Sequence, residues 1–266
     1  MRDELGNRLK RNYENVSKTY LTRRMPVIIR LDGKAFHSFT RGFDKPFDSV
    51  LSNAMQKTME YLCKNVEGCV LGYTQSDEIS LLLVDYRNLN TDAWFNYAVQ
   101  KCVSVVASMA TMAFNKYFNE LVGEFCEKNS VTHFDSGGFD THFNTIENEI
   151  LFGRYNVSLD KGALFDARIF NIPKEEVVNY FVWRQNDCIR NAINSIGQKY
   201  FSNNVLLHKS TADIKNMLAD NGISVDSYDE KYISGLTCMK KDSWKFDTFQ
   251  FKQNRKCVEG LFMFEN

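Results

Sequence analysis

Two short stretches constrain this chain more than any others. Val27-Ile28-Ile29-Arg30-Leu31-Asp32-Gly33 is an apolar run rich in β-branched residues that closes on a carboxylate and a glycine. That pattern predicts a buried strand that delivers Asp32 to its end. Gly72-Tyr73-Thr74-Gln75-Ser76-Asp77-Glu78-Ile79-Ser80 holds a polar tip between the apolar runs Cys69 to Tyr73 and Ile79 to Val84. It predicts a β-hairpin with two acids at its turn. A strand-end aspartate and a hairpin-tip aspartate in one sheet are what two Mg²⁺ ions need, since this cation takes one or two carboxylates together with substrate phosphates. The pair points to nucleotidyl transfer.

The chain is long enough, at 266 residues, to bury a full core. Its 44% apolar and 14% aromatic content excludes a mostly disordered protein. No apolar run approaches the roughly 18 residues of a transmembrane helix, and Met1-Arg2-Asp3-Glu4 lacks the apolar core of a signal peptide. The expectation is a cytoplasmic protein without a membrane partner. Seven cysteines (63, 69, 102, 126, 188, 238, 257) form an odd, scattered set with no C-x-x-C pair, so reduced thiols are expected, with neither zinc nor a disulfide framework. A formal net charge of zero argues against a protein that simply coats nucleic acid, but leaves room for a local grip on RNA. Positive charge does crowd the first 34 residues, at Arg8, Lys10, Arg11, Lys18, Arg23, Arg24, Arg30 and Lys34. Such a run reads as a solvated helical face or, given its nearness to Asp32, as phosphate contacts.

Taken in order, residues 1 to about 24 predict a polar helix with Leu5, Leu9, Tyr13 and Val16 three or four apart, stopped by Pro26. A strand over 27–31 follows, then an aromatic loop to Phe43. A helix over about 49–64 shows Leu51, Met55, Met59 and Leu62 on one face. After the hairpin at 69–84, Asp92-Ala93-Trp94 opens a long helix to about residue 118. Residues 119–163 have weak periodicity, with Gly137-Gly138 and Gly153 as turn markers. A strand over 164–172, a helix from Pro173 to about 201 and a helix from Thr211 to Asp220 capped by Asn221-Gly222 complete the regular part. Weak strands and a basic, aromatic tail follow from 223. The order β-α-β-β-α-β predicts an α+β fold, the ferredoxin-like layout of the polymerase and cyclase palm. Residues 1–200 then form a catalytic palm domain with an N-terminal basic helix and an insertion at about 119–163. Residues 201–266 form a C-terminal helical, finger-like extension.

Five ordered motifs add a more specific signal: Arg-Leu-Asp-Gly-x-x-Phe-His (30–37), Lys-Pro (45–46), Gly-Tyr-x-Gln-Ser-Asp-Glu-x-Ser (72–80), Phe-Asp-x-Arg (165–168) and Trp-Arg-Gln-x-Asp (183–187). Together they resemble the tRNA(His) guanylyltransferase superfamily of 3′-to-5′ polymerases, over roughly residues 25 to 225. The resemblance implies that Asp32 and Asp77, with the Gly33 carbonyl, hold two Mg²⁺ ions, and that Glu78 completes the catalytic acids nearby. It implies nucleotide contacts at Lys34, Ala35, Phe36, His37, Lys45, Ser76 and Asp77, and RNA contacts at Arg30, Lys101, Arg190 and Asn191. It further implies ATP activation of a 5′-monophosphate end, GTP or another NTP as the added nucleotide, tRNA held by its 5′ end and acceptor stem, and a homotetramer. The tRNA(His)-specific eukaryotic members follow their Asp-Cys with His-Ile-Asn-Asn, whereas Asp187-Cys188 is followed here by Ile189-Arg190-Asn191-Ala192. Trp94-Phe95-Asn96-Tyr97-Ala98 also lacks their arginines. In both respects the chain resembles the bacterial, archaeal or phage-type "guanylyltransferase-like protein" branch, whose members add templated nucleotides to truncated tRNA 5′ ends.

Other residues have plainer readings. Trp183, Phe181 and Ile196 are expected in the core, while Arg184 and Gln185 either back the site or lie on a helix surface. His133-x-Asp135-x4-Asp140-x-His142 has the residue types of a transition-metal site but reads as a polar surface loop. Lys199-Tyr200 and the tail around Trp244, Lys245, Lys252, Arg255 and Lys256 fit an RNA-binding surface and a subunit contact equally. A diguanylate-type cyclase is disfavoured because the hairpin tip is Gln75-Ser76-Asp77-Glu78, with no Gly-Gly-Asp-Glu-Phe-like sequence. A non-catalytic RNA-binding palm is disfavoured because the expected metal ligands are intact.

Overall fold

The apolar run at 27–31 forms a strand because both of its faces are covered. A computed structural model describes residues 3–135, 138–240, 243–248 and 250–264, and leaves the side chains of 132–141 outside that set. Its elements in chain order are α1 (Glu4–Leu9), β1 (Val27–Gly33), α2 (Phe36–Phe39), α3 (Ser49–Asn65), β2 (Cys69–Gln75), β3 (Glu78–Leu83), α4 (Val99–Asn129), β4 (Ser130–Asp135), β5 (Gly138–Phe143), α5 (Ile146–Lys161), β6 (Phe165–Asn171), α6 (Lys174–Tyr200), α7 (Asn203–Leu206), α8 (Thr211–Asp220), α9 (Glu230–Ser234), β7 (Leu236–Lys240), β8 (Trp244–Asp247) and α10 (Arg255–Glu259).

Six strands form one antiparallel sheet in the order β6-β1-β3-β2-β7-β8. The four strands β6-β1-β3-β2 are two interlocked split βαβ units, the ferredoxin-like palm. Strand alternation sends Val27, Ile29 and Leu31, with Ile79, Leu81 and Leu83, onto a layer containing Met55 and Met59 of α3 and Val106 and Phe114 of α4. Ile28, Leu82 and Tyr73 point the other way, onto Val178 and Phe181 of α6 and onto Phe251 and Phe262 of the C-terminal segment. A strand buried on two faces reads as continuous apolar sequence, and β1 does.

Four expectations need correction. The N-terminal helix ends in a wide turn over Lys10–Glu14 and buries none of its residues, so no packed apolar face carries it on toward Pro26. The helix expected from Asp92 begins only at Val99. Phe95, Asn96 and Tyr97 instead take left-handed φ values of 49°, 52° and 53°. Thr19 O accepts from Val99 N (2.9 Å) and Tyr97 O from Leu21 N (3.1 Å), so the segment before β1 takes backbone groups that a helix would use. At its other end α4 runs past 118 to Asn129, absorbing the start of the presumed irregular region. The rest of that region is the β4–β5 hairpin and α5, with Gly153 inside the helix and not at a turn. His133, Asp135 and Asp140 of the possible metal motif have side chains outside the described residues.

Residues after 200 are bound into the same body. Ile214 and Leu218 of α8 pack on Ile193 and Ile196 of α6. β7 pairs with β2 (Gly72 opposite Cys238), so part of the C-terminal extension continues the palm sheet. Among the described residues no helix is long and apolar enough to cross a membrane. The seven cysteines are free.

Candidate active site

The site is built where β1 ends and the β2–β3 turn begins. Gly33 N donates to Asp77 O at 3.1 Å, which fastens the hairpin turn to the strand end and brings Asp32 and Asp77 together. The position also requires glycine, because a Cβ there would lie 2.3 Å from the Phe36 ring. Phe36 packs against Phe39, Phe114 and Phe165 with ring centroids 5.1 to 5.4 Å away, so the turn that follows Asp32 is anchored in the core. Ala35 (φ 56°) and Ser76 (φ 47°) both sit in left-handed conformations that cost L-residues free energy, a feature that clusters at functional sites. Ser76 Oγ donates to Asp77 Oδ1 at 3.1 Å.

Burial pushes the Asp77 carboxyl above the usual aspartate range, and the nearby charge of Asp32 adds to the effect. Among the described residues no cation pairs with either aspartate, and no third His, Cys, Asp or Glu completes a protein-only metal cage. Two half-buried carboxylates held near one another at the turn fit a hard cation that keeps water or phosphate oxygens in its remaining positions. That is the donor set of Mg²⁺ and not of zinc.

A cleft of about 290 Å³ adjoins the turn. Its lining collects Phe36, His37, Lys45, Ser76 and Asp77 from the expected nucleotide-binding residues. Lys34 and Ala35 lie exposed on the neighbouring turn and do not line it. The opposite wall comes from residues that sequence reasoning missed: Lys231, Tyr232 and Leu236, with Phe47 stacked on Tyr232 at 4.8 Å and 2° between ring planes. Residues 231–236 lie far along the chain in a stretch without periodicity, and no local signal marks them. Gln185 fixes this wall. It is 3% exposed, donates from Nε2 to Ser234 O (3.0 Å) and accepts from Phe251 N (2.9 Å).

Glu78 follows Asp77 but has a different setting. Arg184 donates to both of its carboxylate oxygens (Nε to Oε1, 2.7 Å; Nη2 to Oε2, 3.0 Å), and Arg30 Nε donates to Oε2 at 2.8 Å. Glu78 and Arg184 are each 5% exposed. Arg184 thus backs the site and does not lie on the helix surface. Arg30, expected on RNA, has its guanidinium turned inward to Glu78. Lys101 stands away from the cleft, its ammonium 4.3 Å from the centre of the Phe95 ring. Arg190 pairs with Asp187, and Arg190 and Asn191 are exposed on α6. Trp183, expected in the core, is 53% exposed, because the 3.6-residue period of α6 turns Phe181 inward and Trp183 outward.

Comparison with known proteins agrees with this geometry. Residues 7–173 match the family model described as tRNAHis guanylyltransferase. An uncharacterised protein of Acanthamoeba polyphaga mimivirus is 29% identical over 212 residues, 75% of this chain and 64% of its own length. The solved structure of a bacterial tRNA(His) guanylyltransferase-like protein in complex with ATP superposes with a TM-score of 0.79 at 33% identity, covering 98% of this chain and 100% of that one. The structure of such a protein in complex with GTP gives 0.75 at 31% identity over the same shares. The chain belongs to the tRNA(His) guanylyltransferase family, a family of nucleotidyltransferases. It spans about half the length of curated tRNA(His) guanylyltransferases that it matches.

Proposed function

We propose that this protein adds nucleotides, template-directed and in the 3′-to-5′ direction, to the 5′ end of tRNA, and first activates a 5′-monophosphate end with ATP. The observation that carries the reading is the Gly33–Asp77 clamp, which sets two aspartates that meet no cation among the described residues beside a cleft bearing His37, Lys45 and Ser76. The ATP and GTP held by the bacterial relatives support nucleotides as occupants of this cleft.

Asp32, Asp77 and the Gly33 carbonyl would hold Mg²⁺. When bound, that metal neutralises charge on the phosphates and lowers the pKa of the attacking hydroxyl. Lys45 supplies a point charge to the triphosphate, and the stacked Phe47 and Tyr232 offer an aromatic wall to a base. In the transfer step the 3′-hydroxyl oxygen of the incoming NTP bonds to the RNA's 5′ phosphorus and gives up its proton. The bond from that phosphorus to the leaving group breaks, releasing AMP from an adenylylated end or pyrophosphate from a triphosphorylated one. The residues after Asp187-Cys188 favour templated repair of truncated 5′ ends over dedicated guanylate addition to tRNA(His).

Incorporation of labelled NTPs onto a tRNA lacking its first 5′ nucleotide, with Mg²⁺, tests the reading. Templated addition by the wild type and its loss in Asp77→Ala are expected. RNA binding without addition to either monophosphorylated or triphosphorylated ends would overturn it in favour of a non-catalytic RNA-binding palm.

A further inference from the structure

We propose that Trp183 is a stacking platform for an unpaired nucleobase near the end of the RNA, separate from the nucleotide cleft. The inference rests on the RNA-extending reading above. An indole this exposed on a rigid helix is held here with unusual care. The Arg184 guanidinium carbon lies 4.4 Å from the ring centroid and that of Arg30 lies 5.9 Å from it. Both guanidiniums bond the same Glu78 oxygen, which fixes them beside the indole, and the Trp183 side chain is still about half exposed to solvent. The edge is braced by Tyr180, 5.9 Å away at 69°, whose hydroxyl shares a 2.8 Å hydrogen bond with Ser80. A fixed aromatic face loses little freedom when a ligand stacks on it.

Position names the ligand. Arg30 and Asp32 point to the same face of β1, two residues apart, or roughly 7 Å. The indole over Arg30 therefore lies within about one nucleotide of the carboxylate end of the sheet. Trp183 does not line the cleft, so a base stacked on it belongs to a different residue from the nucleotide held there. Arg190, seven residues along α6 and about two turns away, lies on the same exposed face, where its guanidinium pairs with Asp187 but stays open enough to solvent to meet a backbone phosphate as well. Stacking also tolerates any base, as an enzyme that takes its sequence from a template requires.

Addition kinetics and tryptophan fluorescence together provide the test, in wild type, Trp183→Ala and Trp183→Phe. Trp183→Ala is expected to raise the KM for RNA about tenfold, the effect of one stacked base. The KM for NTP and the melting temperature should stay unchanged, and Trp183→Phe should restore the RNA value. RNA should quench the wild-type fluorescence but not that of Trp183→Phe, in which the other two tryptophans, Trp94 and Trp244, remain. An unchanged RNA KM in Trp183→Ala overturns the proposal, and so does an equal quench by free GTP, which would assign the base to a mononucleotide. If the wild type adds no nucleotide, the proposed function fails while the RNA quench still decides the role of Trp183.

Discussion

Asp77 and Glu78 are consecutive on the hairpin, yet Glu78 receives guanidiniums from β1 and α6 whereas among the described residues no cation reaches Asp77. Register produces the difference. Glu78 is the first residue of β3, directly across from Asp32, and its side chain meets the α6 layer where Arg184 waits. Asp77 lies in the turn, where Ser76 supplies one neutral hydrogen bond and Gly33 binds only its backbone. A compensated acid stabilises its surroundings. An uncompensated pair of acids raises the free energy of the metal-free protein and is ready to take up a cation. On the proposed function, this contrast leaves the chemistry to Asp77 and support to Glu78.

Opposite outcomes in the two residues would sharpen it. Asp77→Ala should lower nucleotide addition on the order of a thousandfold while leaving urea stability unchanged or slightly higher, because a buried, repelled carboxyl is gone. Glu78→Ala should cost about 3 kcal/mol of stability, read from the urea midpoint, since it leaves the buried Arg184 with Asp187 as its remaining carboxylate partner. Equal stability losses in the two variants would break the distinction.

Asp48 is an intermediate case: a buried acid that accepts from Leu51 N (2.9 Å), Asp44 N (3.1 Å) and the Tyr155 hydroxyl (2.7 Å) but meets no cation among the described residues. Burial outweighs these donors and raises its pKa. The folded state therefore binds this proton more tightly than the unfolded chain does. Asp48's contribution is full below the ordinary aspartate pKa and is lost as pH rises through the raised value. Asp48→Asn should remove that slope, at most about 1.4 kcal/mol per pH unit, from urea stabilities measured between about pH 4 and 7. The smallest effect concerns the turn itself. Ser76→Gly should gain about 1 kcal/mol by relieving the left-handed φ and raise the KM for NTP, a split that would separate the residue's strain from its hydroxyl.

Much of this was legible in sequence because β1 and the hairpin announce themselves by pattern. A two-face-buried strand gives Val27 to Leu31 a run broken only by Arg30, and the polar tip at 75–78 marks a hairpin turn, although Gln75 and Glu78 themselves pair as the last strand residues and only Ser76 and Asp77 form the turn. Asp32, Asp77 and Lys45 followed from those elements and the ordered motifs. Long-range recruitment was illegible. Nothing local marks Lys231 and Tyr232 as a wall of the cleft, because their position depends on β7 pairing with β2. Three successive left-handed residues at 95–97 contradict their own propensities and exist because residues 19–21 bond to that backbone. Trp183 was misjudged on residue type, when its helical phase relative to Phe181 already placed it outside.

The Phe47–Tyr232 stack joins residues from opposite ends of the chain. During synthesis, β1 and the hairpin can bring Asp32 and Asp77 together well before Tyr232 has been made. The growing chain thus acquires its paired acids early and the cleft beside them late. Until β7 arrives, β2 also presents an unpaired hydrogen-bonding edge to its surroundings. Completion of the cleft and protection of the sheet are one event, so a nascent chain whose cleft has both walls is also one that has closed this edge.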